Sequence, residues 1–160
     1  MPKYIIIILV SSLTMLSCKN TSQTKEQNPK WDKIMLRMDL QSIDLYSDKD
    51  TIYSNTWRYQ DSMAESGAIW HLQTKEKKHS IFLDSATKDS IYAIVMDIIR
   101  HPVFTKPSVS CYAGNISICV QSDHTQLCCK YASVGNWTTV SASTQKLYDI
   151  LHKKIYVSAQ

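Results

Sequence analysis

Glycine is scarce in this sequence, which argues against several classes of function. The 160 residues include three glycines, whereas phosphate-cradling loops and dinucleotide-binding fingerprints need several glycines at fixed spacings. The G-x-S-x-G turn of α/β-hydrolases is also missing, as is an S-x-x-K motif together with its companion motifs. The sequence therefore predicts a protein that is not an enzyme and that needs no cofactor.

Basic residues are neither abundant nor clustered. Lys and Arg number 18 against 14 Asp and Glu, for a formal net charge of +4. No group of them is interleaved with aromatic residues, as it is on nucleic-acid-binding surfaces. The densest run, from Lys75 to Lys78, is typical of a solvated turn. Nucleic acid is therefore not expected as a partner.

Long apolar runs are confined to the first 17 residues, which have the pattern of an export signal. A short basic start containing Lys3 precedes an uncharged, mostly apolar stretch from Tyr4 to Leu16. This order is typical of secretory signal peptides, and the stretch is shorter than the roughly 20 apolar residues that cross a membrane. The start of the chain therefore predicts export rather than a membrane-spanning helix.

The signal ends in Met15-Leu16-Ser17-Cys18, which resembles the lipobox of bacterial lipoproteins over the first 18 residues. The resemblance implies that residues 1–17 are removed and that Cys18 carries a diacylglycerol and an N-linked acyl chain such as palmitate. Two or three chains hold a protein durably on a bilayer, so a membrane of the cell envelope, expected to be the outer membrane, is a partner. The alternative is ordinary secretion, which requires a small residue where Met15 stands.

The rest of the chain divides into a tether and one domain. Residues 19–30 are polar, contain Pro29 and have no aliphatic side chain, which is typical of a flexible linker. The predicted organisation is thus a signal peptide over 1–17, a lipidated cysteine and tether over 18–30, and a single globular domain over 31–160. Whether this domain faces the periplasm or the cell surface is left open.

Hydrophobic periodicity in the domain predicts strands, a helix, more strands and a final helix. Apolar residues alternate from Trp31 to Leu40, which favours a half-buried strand. The first helical pattern follows the possible capping residues Asp84, Ser85 and Thr87, and the second, whose apolar stripe runs from Leu147 to Ile155, follows Ser141, Ser143 or Thr144. The other predicted strands are Asp44–Tyr46 or Thr51–Tyr53, a hairpin of 68–73 with 80–83, and three strands over 109–113, 116–121 and 126–131 separated by Gly114-Asn115 and residues 122–125. Hairpins dominate, so the predicted fold is α+β, with an antiparallel sheet of five to seven strands and two amphipathic helices on one face.

Four cysteines remain after Cys18, and one pair can be assigned by register. If Asp123-His124 is a two-residue hairpin loop, Cys119 faces Cys128 at a non-hydrogen-bonded position, where side chains approach most closely. We therefore predict a Cys119–Cys128 disulfide. Cys128 and Cys129 point to opposite faces of a strand, which is poor geometry for a tetrahedral thiolate site, and no metal site is predicted.

Aromatic residues are the remaining indication of function. Trp31 and Trp70 are interpreted as residues that cap the sheet, whereas Trp57-Arg58-Tyr59 and Trp137 lie beside predicted turns, where partner binding and packing remain open alternatives. The resulting hypothesis is a non-enzymatic lipoprotein that binds an envelope protein, as immunity proteins and inhibitors of toxins or hydrolases do. The alternative is an accessory module that binds glycans or cell wall through aromatic side chains.

Overall fold

A computed structural model describes residues 31–63, 69–75, 79–106 and 113–159, with side chains for those outside 58–80. The predicted signal peptide, Cys18 and the tether lie outside these ranges, as does Cys111. In chain order the elements are β1 (Lys33–Met38), β2 (Gln41–Tyr46), β3 (Thr51–Met63), β4 (Ile69–Lys75), β5 (His79–Phe82), α1 (Ser85–Arg100), β6 (Gly114–Ser122), β7 (Thr125–Val134), a short 3-10 turn (Trp137–Thr139) and α2 (Ala142–His152).

The strands form one sheet in which every described pair is antiparallel. Its order is β4-β3-β2-β1-β6-β7, and β5 also pairs with β3. Strand β1 is central because its alternating apolar residues pack inward while both of its edges are paired. The α+β class, the antiparallel sheet and the two helices predicted from the sequence are confirmed.

The predicted hairpin between residues 68–73 and 80–83 is wrong. Both runs are strands, β4 and β5, but each pairs with the long strand β3 rather than with the other. Met63 faces Ile69 at one end of β3, and Thr51 faces Phe82 at the other. The 13 residues of β3 are long enough to take both partners, and a local pattern of alternation does not record which strand a segment pairs with.

The β6–β7 hairpin has the predicted register. Ser122 faces Thr125 across the turn at Asp123-His124, and Cys119 faces Cys128. Asp123 takes a positive φ of 49°, a conformation that Asp tolerates better than most residues. Its backbone N–H donates to the Asp32 carboxylate, so the turn is fixed against the start of the domain.

At the other end of this hairpin, Gly114-Asn115 belongs to strand β6 and is not the predicted connection. The register shifts between Gly114 and Ile116, because β7 carries an extra residue there in a β-bulge. Ser133 in the bulge has a φ of 53°, and its backbone N–H donates to Asn115 Oδ1 over 3.0 Å. The Asn115 side chain thus replaces a ladder bond that the bulge removes.

Both helices begin at residues whose side chains cap them. The Asp84 carboxylate accepts from the Thr87 backbone N–H at 2.8 Å, and α1 ends at Arg100, with His101 as its C-cap just before Pro102. At α2, Ser141 and Thr144 form a capping box in which each side chain accepts from the other's backbone N–H. The caps satisfy N–H groups that have no partner within the first turn. Ile155, predicted on the α2 stripe, lies beyond the end of the helix but is still buried.

The core lies between one face of the sheet and the two helices. Even-numbered residues of β1, including Ile34 and Leu36, share a buried cluster with Val95 of α1 and Leu147 of α2. Trp31 belongs to the same cluster and stacks on Tyr92, with ring centroids 6.0 Å apart, as expected for a residue that caps the sheet. Burial of the apolar stripes is what holds the helices on this face.

One buried lysine ties α1 to the turn between β2 and β3. Lys88 is 8% exposed, and its Nζ lies 3.0 Å from the Ser47 carbonyl, 3.4 Å from the Lys49 carbonyl and 2.7 Å from Asp50 Oδ1. An ammonium group has three hydrogens to donate, and all three have an acceptor here. Lys88 therefore lies on the core-facing side of α1 with each hydrogen of its ammonium group matched to an acceptor.

Candidate functional site

The inner face of the sheet is polar at one end, and a groove lies there. Gln41 lies on the same face of β2 as Ile43 and Leu45, while Ser54 and Thr56 occupy the matching face of β3. Beyond α2, residues 153–159 run back across this end of the sheet, and we call them the strap. The sheet and the strap enclose a groove of about 580 Å³.

The strap groove has apolar walls and a hydroxyl-bearing floor. Its lining residues are Leu40, Gln41, Ser54, Thr56, Trp57, Ile81, Lys154, Ile155, Tyr156 and Ser158. Trp57 is half-buried, whereas Tyr156 is 69% exposed at the rim. Among the described residues that line the groove, Lys154 carries the only charge. A neutral or negatively charged ligand with an apolar part therefore matches this lining.

The Gln41 side chain holds the strap on the sheet. Its Oε1 accepts from the Ser158 backbone N–H at 2.8 Å, and its Nε2 donates to the Tyr156 carbonyl at 2.7 Å. The same Nε2 donates to Ser54 Oγ at 3.1 Å. Gln41 is 1% exposed, so its side chain depends on these partners. In turn it gives the Ser158 N–H and the Tyr156 carbonyl of the strap a partner on the sheet.

Trp137 holds the strap from its other side. It is fully buried, its indole Nε1 donates to the Ser158 carbonyl at 2.7 Å, and its backbone N–H donates to the Ala159 carbonyl. Its ring meets that of Tyr148 edge to face. Of the two alternatives left open for Trp137, partner binding and packing, this burial supports packing, because the ring exposes no surface to another molecule.

The other predicted partner-binding residues fall into two groups. Trp57 lines the strap groove. Arg58 and Tyr59 continue along β3, where their backbones pair with Thr74 and Gln73, but their side chains lie outside those described. Of the two predicted residues whose side chains are described, Trp57 and Trp137, the structure places Trp57 at the groove.

Sequence reasoning missed Gln41 and Tyr156, and only Gln41 had a signal. It occupies an inward position of a strand whose next inward residues are Ile43 and Leu45. A polar residue at a core-facing position needs buried hydrogen-bond partners, so it marks a place where backbone from elsewhere reaches the sheet. Tyr156 follows the helix in an irregular segment, where periodicity carries no information.

Three residues of the kind found in hydrolytic sites meet between the helices, but in an order unsuited to catalysis. Asp97 of α1 accepts from the Ser143 hydroxyl through Oδ2 and contacts His101 Nδ1 at 2.9 Å through Oδ1. In a nucleophilic triad the imidazole lies between the hydroxyl and the carboxylate, whereas here the carboxylate is in the middle. Hydrogen bonds from Ser143 and His101 hold the pKa of Asp97 below its usual value of 3.8. The cluster joins α1 to α2.

The three cysteines within the described ranges separate into a disulfide and a buried thiol. Cys119 and Cys128 are bonded across the hairpin, with their Cα atoms 4.2 Å apart, as the register predicted. Cys129 is a free thiol on the opposite, core-facing side, next to Tyr131, whose pKa burial and the Cys129 side chain raise above its usual value. Over the described ranges, no three His, Cys, Asp or Glu side chains are grouped so that they could hold a metal ion.

Comparisons with known proteins leave the family open: no family model, no curated protein and no solved structure matches this chain. Within the part of the chain that the structure describes, neither helix is long and apolar enough to cross a membrane.

Proposed function

We propose that this chain is a lipid-anchored protein of the bacterial cell envelope whose domain binds another envelope protein and performs no chemistry itself. The observation that carries the proposal is the strap groove, where Trp57 and Tyr156 stand over a floor of hydroxyl groups. Tryptophan and tyrosine contribute a large share of the binding energy at protein interfaces. A groove of this size accepts one or two side chains of a partner, and Lys154 at its edge favours a partner segment that carries a carboxylate.

The anchor and the groove act together in this proposal. A lipidated Cys18 followed by a polar tether keeps the domain near a bilayer while leaving it free to rotate. Inhibition or immunity towards an exported toxin or hydrolase is the role that matches a small binding domain at this place. An inhibitor needs only to bind its target tightly and specifically, because it does not have to change the target chemically.

The interaction can be tested by photo-crosslinking in living cells. A photoreactive phenylalanine analogue replaces Tyr156 in the full-length protein, and a matched variant carries it at Phe104, which is 99% exposed and lies away from the groove lining. We expect a cross-linked protein from position 156 alone, and we expect Trp57→Ala to abolish it. Equal cross-linking from both positions, or a product insensitive to Trp57→Ala, would contradict the proposal.

A glycan ligand is the second candidate, and the lining gives it specific support. Aromatic rings can stack on the faces of sugar rings, and the neighbouring hydroxyl groups of the groove can form hydrogen bonds with the hydroxyls of the sugar. Sedimentation of the full-length protein with isolated peptidoglycan or envelope polysaccharide separates the candidates. Retention that is lost in Trp57→Ala, without any cross-linked protein from position 156, would favour the glycan.

The anchor is tested independently of the ligand. Cys18→Ala should leave the precursor unprocessed or release the protein from the membrane fraction, whereas Cys129→Ala should not. Membrane partition and electrophoretic mobility report both outcomes. Unchanged partition and mobility in Cys18→Ala would overturn the proposed lipidation.

A further inference from the structure

The two sulfur atoms of the Cys119–Cys128 disulfide differ in access. Cys119 lies on the central side of the hairpin and is 3% exposed, whereas Cys128 lies on the edge strand β7 and is exposed. Both point to the face of the sheet opposite the helices, since neither belongs to the core cluster. A thiolate must reach the sulfur it attacks, so Cys128 is the sulfur open to attack.

The surroundings of Cys119 stabilise the thiolate that leaves when Cys128 is attacked. The Ser117 hydroxyl lies 3.2 Å from Cys119 Sγ, and it is the donor because a disulfide sulfur has no hydrogen. The Gln126 amide donates in the same way to Cys128 Sγ at 3.1 Å, so the two sulfurs differ mainly in access. Lys130 faces Ser117 on β7, so it lies diagonally from Cys119 on the same face. Hydrogen bonds and positive charge stabilise a thiolate, and a better-stabilised thiolate is a faster leaving group.

The fold does not depend on this bond to keep the two strands together. The β6–β7 pairing continues on both sides of the disulfide, from Ser122–Thr125 to Gly114–Val134. The bond closes a short loop, with a sequence separation of 9, and short loops gain the least from cross-linking. Opening the disulfide therefore leaves the sheet intact, and the hairpin can cycle between the two states.

We propose that the Cys119–Cys128 disulfide is a thiol-exchange site. A thiolate from a small thiol or from a protein cysteine attacks Cys128 Sγ, and a new sulfur–sulfur bond forms there. The Cys119–Cys128 bond breaks, and its electron pair remains on Cys119 as a thiolate. The incoming sulfur is oxidised and Cys119 is reduced, so the step is balanced. Cys119 then stands beside the mixed disulfide and restores the original bond by the reverse attack. This inference is independent of the proposed ligand in the strap groove.

The site of attack can be read directly by mass spectrometry. Full-length protein is mixed with excess glutathione, stopped after short times with N-ethylmaleimide, and its adducts are located by tandem fragmentation. In native protein we expect glutathione on Cys128 in about tenfold or greater excess over Cys119, with the maleimide on Cys119. In urea the two positions should react about equally. Native adducts that are divided evenly, lie on Cys119, or form only in urea would overturn the proposal.

The leaving group has its own test. Ser117→Ala should slow the attack on Cys128 about threefold or more, and Lys130→Gln should slow it at low salt, because each change destabilises the released thiolate. Ser90→Ala, on the exposed side of α1, is the matched control. Lys130 is exposed, so its variant tests the idea without endangering the fold. Rates equal to the control in both variants would overturn the assignment of Cys119 as the leaving sulfur.

Discussion

Gln41 attaches the strap to the sheet while Trp137 holds it from the other side, and replacing Gln41 by Leu removes the attachment to the sheet. Leucine is of similar size and suits the neighbouring core, but it bonds neither the Ser158 N–H nor the Tyr156 carbonyl. A buried polar group that loses its partner costs about 1–3 kcal/mol, and the added apolar side chain returns about 1–2 kcal/mol. Two such groups cost about 2–6 kcal/mol together, so after the apolar gain we expect Gln41→Leu to lower the free energy of unfolding by about 1–4 kcal/mol.

Gln41→Leu can also open the domain locally at the strap, and the cost of this opening limits how much stability the whole domain loses. The strap can lift away and bond to water, which exposes Ile155 and Val157, both now buried. Exposing them costs about 1.5–3 kcal/mol each, comparable with leaving the two backbone groups unbonded. The domain takes whichever route costs less, so the global loss remains in the stated range.

Urea unfolding followed by tryptophan fluorescence measures this loss, and hydrogen exchange at the Ser158 amide reports the strap itself. Exchange at that amide should accelerate more than exchange in the centre of β1. Gln145→Leu is the matched control, because Gln145 lies on α2 and its amide bonds the exposed Asp149 side chain. The control should stay within about 0.5 kcal/mol of the wild type. A Gln41→Leu variant as stable as the control, with the Ser158 amide still protected, would refute the role of Gln41.

Three further changes test other parts of the structure. Replacing Cys119 and Cys128 together by Ser should cost no more than about 3 kcal/mol, because the closed loop is short, and a variant that is unfolded by circular dichroism would contradict an independently stable hairpin. Lys88→Met should cost about 1–3 kcal/mol in urea unfolding, since it removes the donor that the Ser47 and Lys49 carbonyls share with the Asp50 carboxylate; a neutral result would mean that water replaces the ammonium group. Asp97→Asn should destabilise the domain at neutral pH. Because the folded-state pKa of Asp97 lies below its usual 3.8, its contribution is present above that value and is lost as the pH falls through the folded pKa. Thermal unfolding that shows the same difference between wild type and variant at pH 7 and below pH 3 would contradict the assigned cause.

Local patterns predicted those parts of the fold that local physics decides. The two-residue loop at Asp123-His124 determines the register of its hairpin, and the pairing of Cys119 with Cys128 follows from counting outward from that loop. The apolar stripe of α1 and the capping residue Asp84 likewise act within a few residues of each other. These predictions needed no knowledge of the rest of the chain.

Pairing between distant segments was not predictable in the same way. Strands β4 and β5 have the composition and spacing of a hairpin, but β3 is long enough to accept both. The choice of pairing partner depends on how much surface the entire sheet buries, and a short window of sequence does not give this area. Trp137 shows the same limit, because its burial depends on the strap, which reaches it from beyond the end of α2.

The groove itself follows from the polar end of the inner sheet face. Apolar stripes on α1 and α2 can seal Ile43, Leu45 and Ile52, but a helix offers no free backbone groups to Gln41 and Ser54. A segment without regular structure does offer them, and the strap supplies its Tyr156 carbonyl and Ser158 N–H to Gln41. Such a segment covers less area than a helix, so the sheet beside it stays open. The polar residues that require the strap are therefore the cause of the groove, and a binding site can be sought in other α+β domains wherever a polar side chain interrupts an inward-facing apolar row.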